Sequence, residues 1–397
     1  MPSTRSDPAR LADHLATIEP SAATDRAAIR VVRAPGRVNL IGEHTDYNEG
    51  FVLPIAIDRA ISIAFIPTDD GRVVLTLADG GETASFDVDD IGRRRGHWID
   101  YAAGTAWAMA DAGLPVYGFR GLLASDLPQA AGLSSSAALE LASALALSGG
   151  DDPPVDRMTL ARIAQRGENA YVGVQSGLMD QFASAHGVDG AALLLDCRSL
   201  EYRPIALRLD DVALVVAHSG SDRRLEMSAY NERRAQCEAA VAVIARTRPG
   251  VRSLRDVTSA MLDEVRQELD PVLARRARHV VEEDARVLRA VDALEARDHV
   301  TAGRLFSKSH TSLRDLYEVS SPALDALVEI ATELPGVFGS RLTGAGFGGC
   351  TVTLVRREAI PELTAAVEER YPARTGLTPM VFEVTPAAGA GRVDGPR

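Results

Sequence analysis

The sequence predicts an α+β protein of two domains, and three observations predict it. Strand-like runs and helical stripes alternate irregularly along the 397 residues, with no internal repeat. That length holds two domains with ample core, at about 100–200 residues per domain. Hydrophobic residues make up 46% of the chain, and no apolar run approaches the roughly 20 residues of a membrane span.

The elements follow in order. Residues 1–28 read as a polar arm with one helical patch at 11–18. The start, Met1-Pro2-Ser3-Thr4-Arg5-Ser6-Asp7-Pro8, lacks the apolar stretch of a signal peptide, so the expected location is the cytoplasm. Val31 and Val32 read as the end of a buried strand over 29–34, and Pro35-Gly36 as the turn that stops it. Further strands are expected at 61–66, 73–77 and 119–123. Small and apolar residues at helical spacing predict a helix over 98–112, ended by Gly113 and Pro115. A second helix over 139–147 stops at Gly149-Gly150. Asp151-Asp152-Pro153-Pro154 reads as a loop, 157–171 as a helix, and 192–195 and 212–217 as strands.

The domain boundary is placed around 196–208, giving a first domain of 29–200 and a second of 201–386. The second opens with a helix over 231–245. Asp270-Pro271, an N-cap followed by the favoured first-turn proline, opens a longer one. Its apolar stripe of Leu273, Ala277, Val280, Val281, Val287, Leu288, Val291 and Leu294 reads as core. Helices over 303–317 and 322–333 and strands at 350–355 and 380–384 complete the domain. The Gly-, Ala- and Pro-rich tail, 387–397, is expected to be disordered.

A net charge of −12 argues against nucleic acid and anionic membranes as partners, while a local cationic pocket could still take a nucleotide. Cys197, Cys237 and Cys350 lie far apart and lack metal-ligand spacing. Lys308 is the only lysine, so no Gly-x-x-x-x-Gly-Lys-Ser/Thr phosphate loop exists. Phosphate binding must rest on backbone N–H groups, Arg and metal.

Three motifs carry chemistry. The segment Arg33-Ala34-Pro35-Gly36-Arg37-Val38-Asn39-Leu40-Ile41-Gly42-Glu43-His44-Thr45-Asp46-Tyr47-Asn48 gathers cations, carboxylates, an imidazole and amides into a cluster suited to a sugar's ring of hydroxyls. Pro128-Gln129-Ala130-Ala131-Gly132-Leu133-Ser134-Ser135-Ser136-Ala137-Ala138-Leu139 turns at a glycine into a helix start. Its free N–H groups and serine hydroxyls suit a triphosphate, although a simple serine N-cap would look alike. Gly344-Ala345-Gly346-Phe347-Gly348-Gly349-Cys350 is a glycine-rich loop before a strand, without the βαβ context of a dinucleotide fingerprint.

The segment 34–54 resembles the signature of galactokinases, in the GHMP small-molecule kinase superfamily. The serine loop is similar to the second GHMP motif, Pro-x-x-x-Gly-Leu-Ser-Ser-Ser-Ala, with nothing missing. Arg341-Leu342-Thr343 with the glycine loop resembles the third. Gly173-Val174-Gln175-Ser176-Gly177-Leu178-Met179-Asp180-Gln181 resembles the segment that carries the catalytic Asp. The resemblance runs from about residue 33 to 355 and includes Ser309-His310-Thr311 and Gly339-Ser340-Arg341.

That resemblance implies a two-lobed fold of mixed sheets backed by helices, with the active site in the inter-domain cleft. It implies ATP-dependent phosphorylation of the anomeric hydroxyl of α-D-galactose, in galactose catabolism, by a monomer. Asp180 would be the base and Arg37 the cation that offsets phosphate charge. Glu43, His44, Asp46, Gly177 and Tyr230 would bind the sugar, with His44 neutral. Gly132, Leu133, Ser134, Ser135, Ser136 and Ala137 would bind ATP, with Trp98 and Tyr101 near the adenine. Ser136 and Glu168 would hold Mg²⁺, an ion that favours oxygen ligands.

Two departures bear on sugar preference. His218-Ser219-Gly220-Ser221 replaces a more usual Asn/Asp-Thr pattern, and Ser176 stands where galactokinases often show Cys. Competing readings are a sister anomeric kinase for N-acetylgalactosamine, arabinose or a uronic acid, and a non-catalytic galactose sensor. A mevalonate or homoserine kinase fits less well, because Glu43-His44-Thr45-Asp46 suits a polyol.

Overall fold

A computed structural model describes residues 7–128, 131–151, 153–221 and 226–393. Residues 1–6 of the expected arm, Gln129 and Ala130 of the serine loop, Asp152 of the Asp-Pro loop and 394–397 of the tail lie outside the described residues.

The strands of the first half are β1 (Arg30–Asn39), β2 (Phe51–Val52), β3 (Pro54–Thr68), β4 (Arg72–Leu77), β5 (Thr83–Asp87), β6 (Gly118–Ser125), β7 (Ala191–Asp196) and β8 (Tyr202–Ala206). Those of the second are β9 (Val212–His218), β10 (Val337–Thr343), β11 (Cys350–Arg356), β12 (Met380–Val384) and β13 (Gly391–Val393). They form three sheets, in the orders β13-β1-β3-β6-β4-β5, β10-β11-β9-β12 and β2-β7-β8. The pair β4–β6 is parallel.

The first helices are α1 (Pro8–Ile18), α2 (Pro20–Thr24), α3 (Asp100–Asp111), α4 (Ser135–Leu147), α5 (Arg157–Arg166) and α6 (Met179–His186). The rest are α7 (Glu226–Thr247), α8 (Ser259–Glu264), α9 (Pro271–Glu295), α10 (His299–Ser312), α11 (Pro322–Thr332) and α12 (Ile360–Thr375). Strand alternation decides which helix covers which face. Val31, Ala64, Leu122 and Ala124 pack with Leu11 and Leu15 of α1, while Val32, Ile63, Phe65 and Leu123 join the main core with α4 and α6. In the second half Ala213, Val215 and Ala217 meet α11 and α12, whereas Val212, Leu214 and Val216 join the core that includes Leu305 and Phe306 of α10.

Several expectations are corrected. Pro35-Gly36 does not stop the first strand: β1 runs through it, with a register shift between Pro35 and Arg37. Pro35 has no N–H for the ladder to lose, and the Arg37 N–H leaves the ladder to donate to the Leu133 carbonyl at 3.1 Å. Gly36 allows that approach, since a Cβ there would lie 2.6 Å from the same oxygen. Residues 387–393 are not a disordered tail. Ala390 is buried in the main core, and β13 pairs with β1, Val393 opposite Val31.

The 200/201 division falls inside the β7–β8 hairpin, so the first half extends through Ala206. Leu288 is 40% exposed, because it sits one step round the helix from the buried Val287. The helix expected over 157–171 is α5 continued by a π-helical turn, Gly167–Val172. That over 303–317 lies within α10 and a second π-turn, Leu313–Tyr317.

Candidate active site

The end of β1, the start of α4, the start of α6 and the glycine loop after β10 meet around a cavity of about 320 Å³. Thr343 at the end of β10 ties the halves together, its hydroxyl donating to the Asn39 carbonyl at 3.0 Å. The buried Arg341 donates to the Leu40 carbonyl at 3.0 Å and ion-pairs with Glu43.

Arg37 lines the cavity. It donates from Nε to Asp180 Oδ1 at 2.7 Å, from Nη2 to Asp180 Oδ2 at 2.8 Å, and from Nη1 to the Gly132 carbonyl at 2.7 Å. Ser134 also donates to Asp180 Oδ2. Ser134 is the N-cap of α4, in the left-handed region at φ 59°, and its hydroxyl makes no capping bond to the helix. The diverted side chain leaves the first-turn N–H groups of α4 without a side-chain cap, and such groups favour an anion.

On the other side of Asp180 lies the acid and imidazole cluster. Gly344 N–H donates to Glu43 Oε1 at 3.0 Å. His44 holds φ 64°, and burial, with His279 beside it, pulls its imidazole down to about 3. The neutral ring donates from Nε2 to the Ala345 carbonyl at 3.2 Å and accepts at Nδ1 from the Tyr47 hydroxyl at 2.8 Å. Burial and the neighbouring Asp180 charge push Asp46 up to about 6. Asp46 packs against Gly177, and Tyr230 lies 5.5 Å from the His44 ring, centroid to centroid.

Glu168 stands on the π-turn after α5, buried, hydrogen-bonded by Ser176 and the Gln181 carboxamide, and lining the cavity with Ser136. Burial first, and then the charge of Asp180, raise its pKa. A hydroxyl and a carboxylate side by side are oxygen donors suited to a hard divalent cation. No group of three or more His, Cys, Asp or Glu among the described residues could hold a metal by itself. A cation here would therefore need phosphate oxygens as well.

The cavity thus brings together Arg37, Asp180, Glu43, His44, Asp46, Gly177 and Tyr230 with Gly132, Ser134, Ser135, Ser136, Glu168 and Tyr101. Leu133 and Ala137 are buried beneath it and could offer only backbone. Trp98 does not line it. Its Nε1 donates to Glu82 at 2.9 Å and its ring packs on the core beside His97. Sequence reasoning missed Val174, Met179 and Ala345 in the wall. It also missed the pairing of Arg341 with Glu43 and Glu283, for which no local signal exists.

The fold is that of the small-molecule kinases of the GHMP class. The models of the GHMP kinase N-terminal and C-terminal domains match residues 100–188 and 290–373. The galactokinase galactose-binding signature matches residues 22–67. The chain is 47% identical to a galactokinase of Roseiflexus sp. over 91% of its own length and 93% of the relative's. It is 46% identical to one of Chloroflexus aggregans over 92% and 93%. The structure of Lactococcus lactis galactokinase complexed with galactose superposes with a TM-score of 0.90 at 34% identity, covering 96% of this chain and all of that one. The mevalonate kinase of Methanococcus jannaschii, at 20% identity and TM-score 0.65 over 91% of this chain and 99% of that one, shares the fold alone. The chain belongs to the galactokinase family.

Proposed function

We propose that the chain transfers the γ-phosphoryl group of ATP to the anomeric hydroxyl of α-D-galactose, giving α-D-galactose 1-phosphate and ADP. The observation that carries this reading is the position of the Arg37–Asp180 pair, with the helix end on one side and the Glu43-His44-Asp46 cluster on the other.

Asp180 accepts the proton of the attacking hydroxyl, since a carboxylate oxygen has lone pairs beyond those that Arg37 and Ser134 use. Arg37 offsets charge on the transferred phosphoryl group and keeps the base aimed. Glu43, Asp46 and Tyr230 bind ring hydroxyls, His44 serves as a neutral partner, and Gly177 brings backbone against the sugar. The backbone from Gly132 to Ala137 cradles the phosphates, and Tyr101 lies towards the adenine. Ser136 and Glu168 hold the divalent ion of the nucleotide, which we assign as Mg²⁺; when bound it neutralises charge on the phosphates. The reading includes action as a monomer in the cytoplasm, which sedimentation and cell fractionation would check.

ADP release with Mg-ATP across galactose, 2-deoxygalactose, N-acetylgalactosamine, arabinose, galacturonate and glucose tests the reading. Turnover strongest on galactose and weak on glucose is expected. Preference for another sugar would overturn the substrate, and binding of both ligands without turnover would make the chain a sensor.

A further inference from the structure

Behind Glu168, away from the cavity, lies a carboxyl group that the reaction does not use. Glu140 sits in the middle of α4 within Leu139-Glu140-Leu141-Ala142 and is fully buried. Among the described residues its one hydrogen bond comes from Gln181, whose Nε2 donates to Glu140 Oε2 at 2.9 Å and to Glu168 Oε2 at 2.9 Å. The second oxygen of Glu140 has no hydrogen-bond partner among the described residues. A buried, unpaired carboxyl in an Ala- and Leu-rich helix costs stability that a leucine would not. Helix packing therefore does not explain it.

We infer that Glu140 and Gln181 are positioning residues for the metal ion: Glu140 holds the Gln181 carboxamide, which in turn fixes the Glu168 oxygen that receives the divalent cation. The inference rests on the assignment of Ser136 and Glu168 as metal ligands.

Two features support it. Ser136 and Glu140 are one turn apart on the same side of α4, and Ser136 and Glu168 line the same cavity. Gln181 of α6 therefore bridges Glu140 of α4 to Glu168 of the π-turn, on the side of α4 that carries Ser136. Gln181 follows Asp180 directly, so the same first turn of α6 carries the base and the support of the metal carboxylate.

The test uses the complete chain and a non-hydrolysable ATP analogue, AMP-PNP, with Mn²⁺ as the probe. Calorimetry measures AMP-PNP affinity with and without Mn²⁺, and the ratio reports metal positioning independently of turnover. Partners that orient a metal ligand typically contribute about 10–100-fold in metal affinity. Glu140→Leu is expected to lose about that much of the Mn²⁺-dependent gain while metal-free AMP-PNP affinity stays put. Glu140→Gln keeps the acceptor oxygen and the shape, and is expected to keep the gain. Should Glu140→Leu fail to fold, Gln181→Leu reads the same link. A full gain in the leucine variants, or an equal loss in Glu140→Gln, overturns the inference. Glu168→Ala separates the two claims: if it retains the gain, the metal assignment itself is wrong. If it loses the gain while Glu140→Leu and Gln181→Leu retain it, the assignment stands and only the positioning role is lost.

Discussion

Arg37 and Asp180 share a two-point contact but not the same exposure: the Arg37 side chain is 5% exposed and that of Asp180 is 24%. Both line the cavity, and the carboxylate is the more open of the two.

Asp180→Asn is expected to cut turnover by at least ~10²-fold, the usual scale for a positioned base. Nucleotide binding measured by calorimetry should persist. Turnover near that of the parent would remove Asp180 from proton transfer.

Arg37→Lys tests the fork. A lysine is a point charge on a flexible stem and cannot hold both Asp180 oxygens and the Gly132 carbonyl together. Turnover is expected to fall by about 10²–10³-fold, as for loss of one transition-state donor. Full activity would reduce Arg37 to a diffuse charge.

Gly177→Ala tests the sugar wall. A Cβ on Gly177 would stand 1.7 Å from Asp46 Oδ2, so the carboxylate must move. Overpacking of that kind costs about 1–3 kcal/mol, and the KM for galactose should rise by about tenfold or more. An unchanged KM would place the sugar away from Asp46.

Burial and the Asp180 charge lift Asp46 to about 6, so its carboxylate form fades as pH falls through that value. A protonated carboxyl has less acceptor capacity for sugar hydroxyls. Galactose KM should therefore climb below about pH 6. Asp46→Asn should flatten that step, and a step that survives in the variant belongs to another group.

Stability has a separate carboxyl. Asp284 of α9 accepts the Phe51 N–H at 2.8 Å, and burial raises it to about 7. The neutral form suits the fold, so its contribution is complete below the ordinary aspartate range near ~3.9 and is lost as pH rises through about 7. Asp284→Asn keeps the acceptor oxygen without the charge. Its Tm gain over the parent should be larger at about pH 8 than at about pH 5; a gain independent of pH would point to packing.

The chemistry was legible where it is local. Serines at a helix start, the Glu43-His44-Asp46 run and the Gly177–Asp180 segment each carry their meaning within a few residues, and the cavity unites them. Pro35-Gly36 was misleading because the bulge it forms is stabilised from outside the segment. Leu133 accepts the displaced Arg37 N–H, and the Ser184 hydroxyl donates to the Pro35 carbonyl at 2.6 Å. Trp98 was misplaced for a similar reason, since Glu82 on a separate segment claims its indole. Periodicity reports which face a side chain takes. It does not report a partner such as Arg341 for Glu43, hundreds of positions away, or a carboxyl such as Glu140 hidden in an apolar stretch.

The edge contact between β1 and β13 bears on how the protein is made. Val31 finds its neighbour Val393 only when nearly all of the described chain has left the ribosome. Until then the strand that bears Arg37 has a bare edge of unpaired backbone groups, the kind of surface through which nascent chains associate wrongly. A polypeptide that stops before Gly391 would contain every residue of the cavity and still carry that sticky flank. This short strand thus acts as a seal, set only after every residue of the cavity has been made.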